Sequence, residues 1–181
     1  GAISHAGQLL AESPSVNKDD TRLVAIIEHQ SKRIDQIIKT ILELGQRNEQ
    51  NFEKIPVHSW LKKIIKTFIR ENGLSDSSIL LNANESIDIE EISACGDPDQ
   101  LQQVILNLLS NSLNYANTST VPFITIDIDE NTPDTTTTIL ISDNGPGIKN
   151  DIQDKIFEPF FTTSSTGNGL GLYIARKICL S

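Results

Sequence analysis

The chain has 181 residues, enough for one full domain and a smaller element, and a formal net charge of −9. Its acidic balance argues against nucleic-acid binding, which requires a basic patch. No apolar run reaches the roughly 20 residues that span a bilayer, so this fragment is expected to make no membrane contact. Cys95 and Cys179 are isolated and fit a reducing cytosol rather than a metal cluster. Because the chain begins at Gly1 without an initiator methionine, we expect a piece of a longer protein.

The first 50 residues are predicted to form two helices, over 1–12 and 19–48, separated by Ser13-Pro14-Ser15. The second helix carries a heptad-like seam: Leu23, Ile27, Gln30, Ile34, Ile37, Ile41 and Leu44. A helix cannot bury so narrow a stripe alone. An antiparallel partner helix and a second subunit are expected, giving a four-helix bundle. The alternative is a long core helix of a monomer.

Two histidines lie on these helices, and imidazole can accept a phosphoryl group. His5 is followed by Ala6-Gly7, with no neighbouring carboxylate to orient it. Glu28 precedes His29 instead of following it. Both histidines are therefore expected to be structural or surface residues.

Residues 51–181 are predicted to alternate strands and helices around a sheet. Strands are expected over 52–57, 78–83, 91–95, 121–129 and 138–142, and helices over 57–69, 98–116, 149–156 and 172–179. Asn72-Gly73 would end the first of these helices. Asp97 would cap the second, with Pro98 at its first position.

The helix over 98–116 carries a stripe of amides beside its apolar face. Gln103, Asn107 and Asn111 recur every four residues and share one face. A solvated polar face is the simpler interpretation. However, no lysine or glutamate is mixed into the stripe, and an amide oxygen is a suitable Mg²⁺ ligand beside phosphates.

Asp143-Asn144-Gly145-Pro146-Gly147-Ile148 follows a predicted strand. A carboxylate at a strand end can accept a hydrogen bond from an exocyclic amine. The glycines allow the backbone to approach a flat ligand closely. Alone, this pattern is also typical of an ordinary turn.

An aromatic cluster, Phe157 to Thr163, leads into the glycine-rich segment Ser164 to Gly171 and a final helix. Glycines before a helix N-terminus favour anion binding, because free N–H groups and the helix dipole point to the same place. Alone, this spacing of glycines is a weak motif.

In this order the four parts resemble the N, G1, F and G2 boxes of the ATP-binding domain of sensor histidine kinases. The wider superfamily includes gyrase B, the ninety-kilodalton heat-shock chaperone and the mismatch-repair ATPase. The resemblance covers about residues 53–181. Gly1 to Leu10 resembles the segment after the phospho-acceptor box of nitrogen-regulation and pilus-regulation sensors. It implies an α+β chain: a partial helical dimerisation and phosphotransfer hairpin over 1–50, then a two-layer α/β sandwich of the Bergerat type over 51–181.

The resemblance implies a role for each box. Asp143 would bind the adenine amino group, beside Gly145, Gly147 and Ile148. Asn107 would hold Mg²⁺, Asn111 would contact the phosphates or a Mg²⁺-bound water, and Gln103 would lie near the transferring phosphate. The β- and γ-phosphates would be cradled by Gly167, Gly169, Gly171 and the N–H groups before Leu172, including those of Asn168 and Leu170. The lid would hinge at Phe160, Phe161 and the segment from Thr162 through Thr163 to Ser165.

The implied reaction is transfer of the γ-phosphoryl group of ATP, with Mg²⁺, to a histidine and on to a response regulator receiver domain. The resemblance also implies a homodimer through residues 1–48. It implies a cytoplasmic fragment whose parent protein lies at the inner membrane of a bacterium.

Three departures from the family pattern limit these expectations. The acceptor histidine is expected before Gly1, so the fragment is expected not to autophosphorylate. Asn114 stands where the family often has lysine, and a final strand pair is expected beyond Ser181. A non-kinase ATPase or Ser/Thr-type kinase of the superfamily is the first alternative, and a coiled-coil adaptor with an inactive nucleotide site is the second.

Overall fold

A computed structural model describes residues 23–27, 30–31, 34, 38, 51–83, 92–116, 123–131, 136–164 and 167–180. The chain divides into two compact units, Gly1–Asn48 with Phe160–Leu170, and Glu49–Pro159 with Gly171–Ser181. The domain boundary between residues 50 and 51 stays a prediction.

In the first unit, the described residues between 23 and 38 are helical. Val24 and Ser31, seven positions apart, are buried. Leu23, Ile27 and Ile34 of the predicted seam are 58%, 46% and 50% exposed. The single chain therefore leaves this part of the seam open to solvent. The predictions for residues 1–22, His29, Ile37, Ile41 and Leu44 lie outside the described residues.

The described residues of the second unit form two sheets. Strand β1 (Glu53–Pro56) pairs antiparallel with β3 (Ser93–Gly96). Strand β4 (Ile124–Asn131) lies between β2 (Ile79–Ala83), which is parallel to it, and β5 (Thr136–Asp143), which is antiparallel. The predicted strands are thus present, with ends displaced by a few residues.

Three helices accompany these sheets in the part of the unit that the structure describes: α1 (Val57–Glu71), α2 (Pro98–Tyr115) and α3 (Gly171–Cys179). Asp97 caps α2, because its Oδ1 accepts bonds from the N–H groups of Asp99 at 3.0 Å and Gln100 at 3.1 Å. No side chain caps the start of α1. Gly73 follows α1 with φ of +62°, a conformation that favours glycine after a helix.

Helices α1 and α2 and the three-stranded sheet share one hydrophobic core. Leu61 of α1, Leu109 of α2 and Ile126 of β4 are fully buried at its centre. Alternate residues along β4, from Ile124 to Ile128, face this core. The result is the expected α/β sandwich.

The helix predicted over Lys149–Ile156 is wrong, since the segment forms successive turns. Most of its backbone bonds span three residues, as from Ile152 N to Lys149 O at 3.1 Å and from Lys155 N to Ile152 O at 2.9 Å. Of its apolar side chains, Ile152 and Ile156 are only half-buried. So short a segment lacks the packed face that would stabilise a regular helix.

Candidate functional site

The amide stripe lies on α2, where Gln103, Asn107 and Asn111 are all half-buried. The Nδ2 of Asn107 is buried and has no hydrogen-bond partner among the described residues. Leaving such a donor unsatisfied costs about 1–3 kcal/mol. The orphaned donor therefore indicates a place where an acceptor from a ligand would be favourable.

Gly171, the first residue of α3, lies directly against the amide of Asn107. A Cβ atom at Gly171 would be 3.4 Å from Asn107 Oδ1 and 3.6 Å from its Cγ. The structure thus brings one predicted amide to the end of the predicted glycine segment. It also places the N-terminus of α3 beside that amide, where the helix dipole favours an anion.

The turn after β5 is built around the carboxylate of Asp143. Its Oδ1 accepts a bond from the N–H of Gly145 at 2.8 Å, and the side chain is exposed. A Cβ at Gly145 would lie 2.8 Å from that oxygen and 3.0 Å from the carbonyl oxygen of Tyr115. Glycine is required here because the end of α2 closes against the turn.

A reciprocal pair of bonds fixes the same turn to the start of β4. Phe123 N donates to Asn144 Oδ1 at 3.1 Å, and Asn144 N donates to Phe123 O at 3.2 Å. No site role was predicted for Asn144 or Phe123 from the sequence. An asparagine between an aspartate and a glycine at a strand end was the available signal.

Gly147 and Ile148 continue the turn on the exposed side. Gly147 has φ of +73°, and a Cβ there would meet no atom within 4 Å. Glycine is therefore favoured at this position by its backbone conformation and not by a lack of space for a side chain. Ile148 is 49% exposed and places an apolar side chain on the surface five residues after Asp143.

The loop Phe160–Leu170 belongs to the first unit, and a backbone hydrogen bond joins its two ends. Phe160 N donates to Gly169 O at 2.9 Å. Both residues have φ of +68°. A Cβ at Gly169 would lie 2.5 Å from the carbonyl carbon of Phe160, so only glycine fits. Phe160 takes the same conformation at an energetic cost, since it is not glycine.

Hydroxyl and amide groups support the interior of this loop. Thr162 Oγ1 accepts from Ser164 N at 3.1 Å, and a Cβ at Gly167 would lie 3.0 Å from that oxygen. Asn168 Oδ1 accepts from Leu170 N at 3.1 Å. Leu170 is buried and Thr163 is exposed. Residues 165–166 lie outside the described residues.

A contact that the sequence did not indicate links the turn segment to α3. The guanidinium of Arg176 lies 5.4 Å from the ring centre of Phe157, a cation–π distance. The two residues are far apart in the chain, so no local spacing could have revealed their contact.

The described ranges contain no group of three or more His, Cys, Asp or Glu that could hold a metal ion. Among the same residues, no helix is both long and apolar enough to cross a membrane.

The described residues form an α/β sandwich whose turns carry Asp143 and the glycines. Residues 96–181 match the family described as histidine kinase-, DNA gyrase B-, and HSP90-like ATPase. This part of the chain is therefore similar to the ATPase domain of that family, and the relatives described next are sensor kinases.

Two curated relatives illustrate this relation. The sensor protein kinase PilS of Pseudomonas aeruginosa is 37% identical over 100% of this chain and 33% of its own length. The sensory histidine kinase/phosphatase NtrB of Rhodobacter capsulatus is 30% identical over 97% of this chain and 50% of its own. The chain thus spans between a third and a half of these relatives.

Solved structures of the histidine kinase ThkA share the fold. Its nucleotide-free catalytic domain matches with a TM-score of 0.57 and 25% identity, covering 71% of this chain and 79% of that one. ThkA in complex with the response regulator protein TrrA gives a TM-score of 0.66 at 23% identity, covering 98% and 49%.

Proposed function

We propose that the chain is part of the kinase core of a two-component sensor histidine kinase. It binds ATP and transfers the γ-phosphoryl group to a histidine outside these 181 residues, for relay to a response regulator. The observation that carries this proposal is the orphaned amide of Asn107 beside Gly171. The family match and the kinase relatives support it, and no observation favours a non-kinase ATPase.

The adenine end of the site is assigned to the turn after β5. The carboxylate of Asp143 accepts a hydrogen bond from the exocyclic amino group of adenine. It is exposed, and the N–H of Gly145 already orients it. Gly147 lets the backbone approach the ring, and Ile148 supplies an exposed apolar contact.

The phosphate end is assigned to the amide stripe. Asn107 would hold Mg²⁺ through its amide oxygen, and its buried Nδ2 would then be able to donate to a phosphate oxygen. Asn111 contacts the phosphates or a metal-bound water. Gln103 orients groups near the transferring phosphate. It is not proposed as a general base, because a neutral amide is a poor base. Mg²⁺ supplies neutralisation of the charge on the phosphates when bound.

The glycine loop is assigned to the β- and γ-phosphates and the lid. Gly167, Asn168, Gly169 and Leu170 offer backbone N–H groups, followed by Gly171 and Leu172 at the start of α3. Phe160, Thr162 and Thr163 act as the hinge of the lid. The left-handed conformation of Phe160 supports this assignment, since such strain is common where a segment moves.

Dimerisation and partners follow from the first unit and the relatives. The exposed Leu23, Ile27 and Ile34 are proposed to pack against a second copy through residues 1–48. A response regulator receiver domain is the proposed partner, as TrrA is for ThkA. The parent protein is proposed to lie at a bacterial inner membrane, with this part in the cytoplasm.

Calorimetric titration with Mg·ADP tests the proposal. Saturable binding is expected in the parent chain. In Asp143→Asn the affinity should fall by at least about tenfold, because the amide would turn a donor towards the amino group of adenine. Asp154→Asn, an exposed carboxylate on the turn segment, is the matched control and should bind normally. Equal affinity in Asp143→Asn and the parent chain would overturn the adenine assignment.

A further inference from the structure

The exposed side of α1 carries a cluster of cations, which we call the cationic face: Lys62, Lys63, Lys66 and Arg70. All four side chains are exposed. Lys62, Lys66 and Arg70 follow each other at intervals of four, so they form one row about 12 Å long. Lys63 lies beside Lys66, three positions away.

The cationic face is unusual in so acidic a chain. Residues 1–48 have six Lys and Arg and six Asp and Glu, so the net charge of −9 lies entirely in residues 49–181. From Glu71 to Ile148 there are thirteen Asp and Glu and no Lys or Arg. Four of the nine Lys and Arg residues between positions 49 and 181 therefore lie on one helix face, next to a long stretch that has no positive charge.

The helix does not balance these charges. No Asp or Glu stands three or four positions from any of the four cations, the spacings at which helix side chains meet. Instead, Lys66 has like charges at both i−4 and i+4. Such pairs destabilise a helix, so the arrangement is not explained by the stability of α1.

The opposite side of α1 already has a complete structural role. Its apolar side chains are buried in the core, apart from the half-buried Trp60. Ser59 and Thr67, which lie between the cations, are exposed and can form hydrogen bonds. The surface is thus polar and cationic, with no exposed apolar side chain.

We propose that the cationic face docks a carboxylate-rich surface of a partner protein. Charge complementarity supplies the attraction, and Lys side chains on a rigid helix set its position. A bilayer is disfavoured because α1 exposes no apolar side chain to insert and residues 49–181 carry all of the negative net charge. Nucleic acid is disfavoured because the row is short and α1 itself has no exposed aromatic ring, Trp60 being half-buried and Phe68 buried. This inference does not depend on the proposed kinase activity.

The test measures binding of a fluorescein-labelled decaglutamate peptide to the full chain by anisotropy at low salt. Saturable binding that weakens with added salt is expected. The triple variant Lys62→Gln, Lys66→Gln, Arg70→Gln should bind about tenfold more weakly, as expected for loss of three exposed ion pairs. The matched control Lys149→Gln, Lys155→Gln, Lys177→Gln removes the same charge elsewhere and should bind like the parent chain.

A cooperative thermal unfolding transition in both triple variants is the check that they are folded. Equal weakening in the two variants would overturn the proposal, because net charge alone would then explain binding. Absence of peptide binding would also overturn the proposal. This holds whether the chain binds nothing or binds phosphatidylserine vesicles or a 20-base-pair DNA duplex through the cationic face.

Discussion

Helices α1 and α2 pack against the same sheet and differ on their other sides. Leu61 of α1 and Leu109 of α2 are both 0% exposed in one core. Away from the core, α1 presents cations and α2 presents half-buried amides that include the orphaned Asn107. The two helices thus pack in the same way on the core side, and their other sides carry different chemical groups.

The largest expected effects lie on the shared side. Leu61→Ala and Leu109→Ala should each lower the free energy of unfolding by about 2–5 kcal/mol, because each leaves a cavity in a packed core. Denaturant unfolding measures both. Leu140→Ala, at a 56% exposed position, is the control and should cost less than about 1 kcal/mol. A large difference between the two core variants would show that the helices are not equivalent in packing.

Asn107→Leu should separate function from stability on α2. Removing the unsatisfied donor should leave the free energy of unfolding unchanged or raise it by about 1 kcal/mol. Affinity for Mg·ADP should fall by about 10- to 100-fold, because contacts to charged groups are lost. Asn114→Leu, on the exposed side of α2, should change affinity little. A strongly destabilised Asn107→Leu would mean that the amide holds the fold.

Asp97→Ala should cost about 1 kcal/mol, since the two N–H groups that it caps lose their partner. Helix α1 has no such side-chain cap, and Val57 N instead donates to the backbone oxygen of Ile92 at 3.1 Å. Asp99→Ala is a nearby control that leaves the cap in place. If both variants unfold at the same denaturant concentration, the cap contributes nothing measurable.

The smallest effect is expected at Lys66→Gln on α1. The change removes like-charge repulsion with Lys62, Lys63 and Arg70, so it should stabilise the protein by a few tenths of a kcal/mol. Thermal unfolding at low and high salt measures this gain, which should shrink as salt is added. A loss of stability would show that Lys66 has a structural partner.

Regular elements were predictable because their signals are local. The apolar spacing of α1, the Asp97-Pro98 start of α2 and the Asn72-Gly73 stop are all contiguous in sequence. The segment 149–156 failed because its few apolar residues cannot secure a helix without a packed face.

The candidate site was predictable in composition but not in its supports. Asn107, Asp143 and the glycines were identified from their spacing and a family resemblance. The contact of Gly171 with Asn107 and the closure of Tyr115 against Gly145 join residues distant in sequence. Such contacts depend on tertiary packing, which no local pattern specifies.

The parallel pairing of β2 with β4 has a kinetic consequence. Asn82 of β2 bonds to Asp127 of β4 at 2.8 Å across 45 positions of chain, whereas β4 and β5 are joined by a short connection. Local pairs close with a smaller loss of entropy than distant ones. We therefore expect the β4–β5 hairpin to form early in folding and β2 to join late, so that the end of β5 bearing Asp143 is shaped before the sheet is complete.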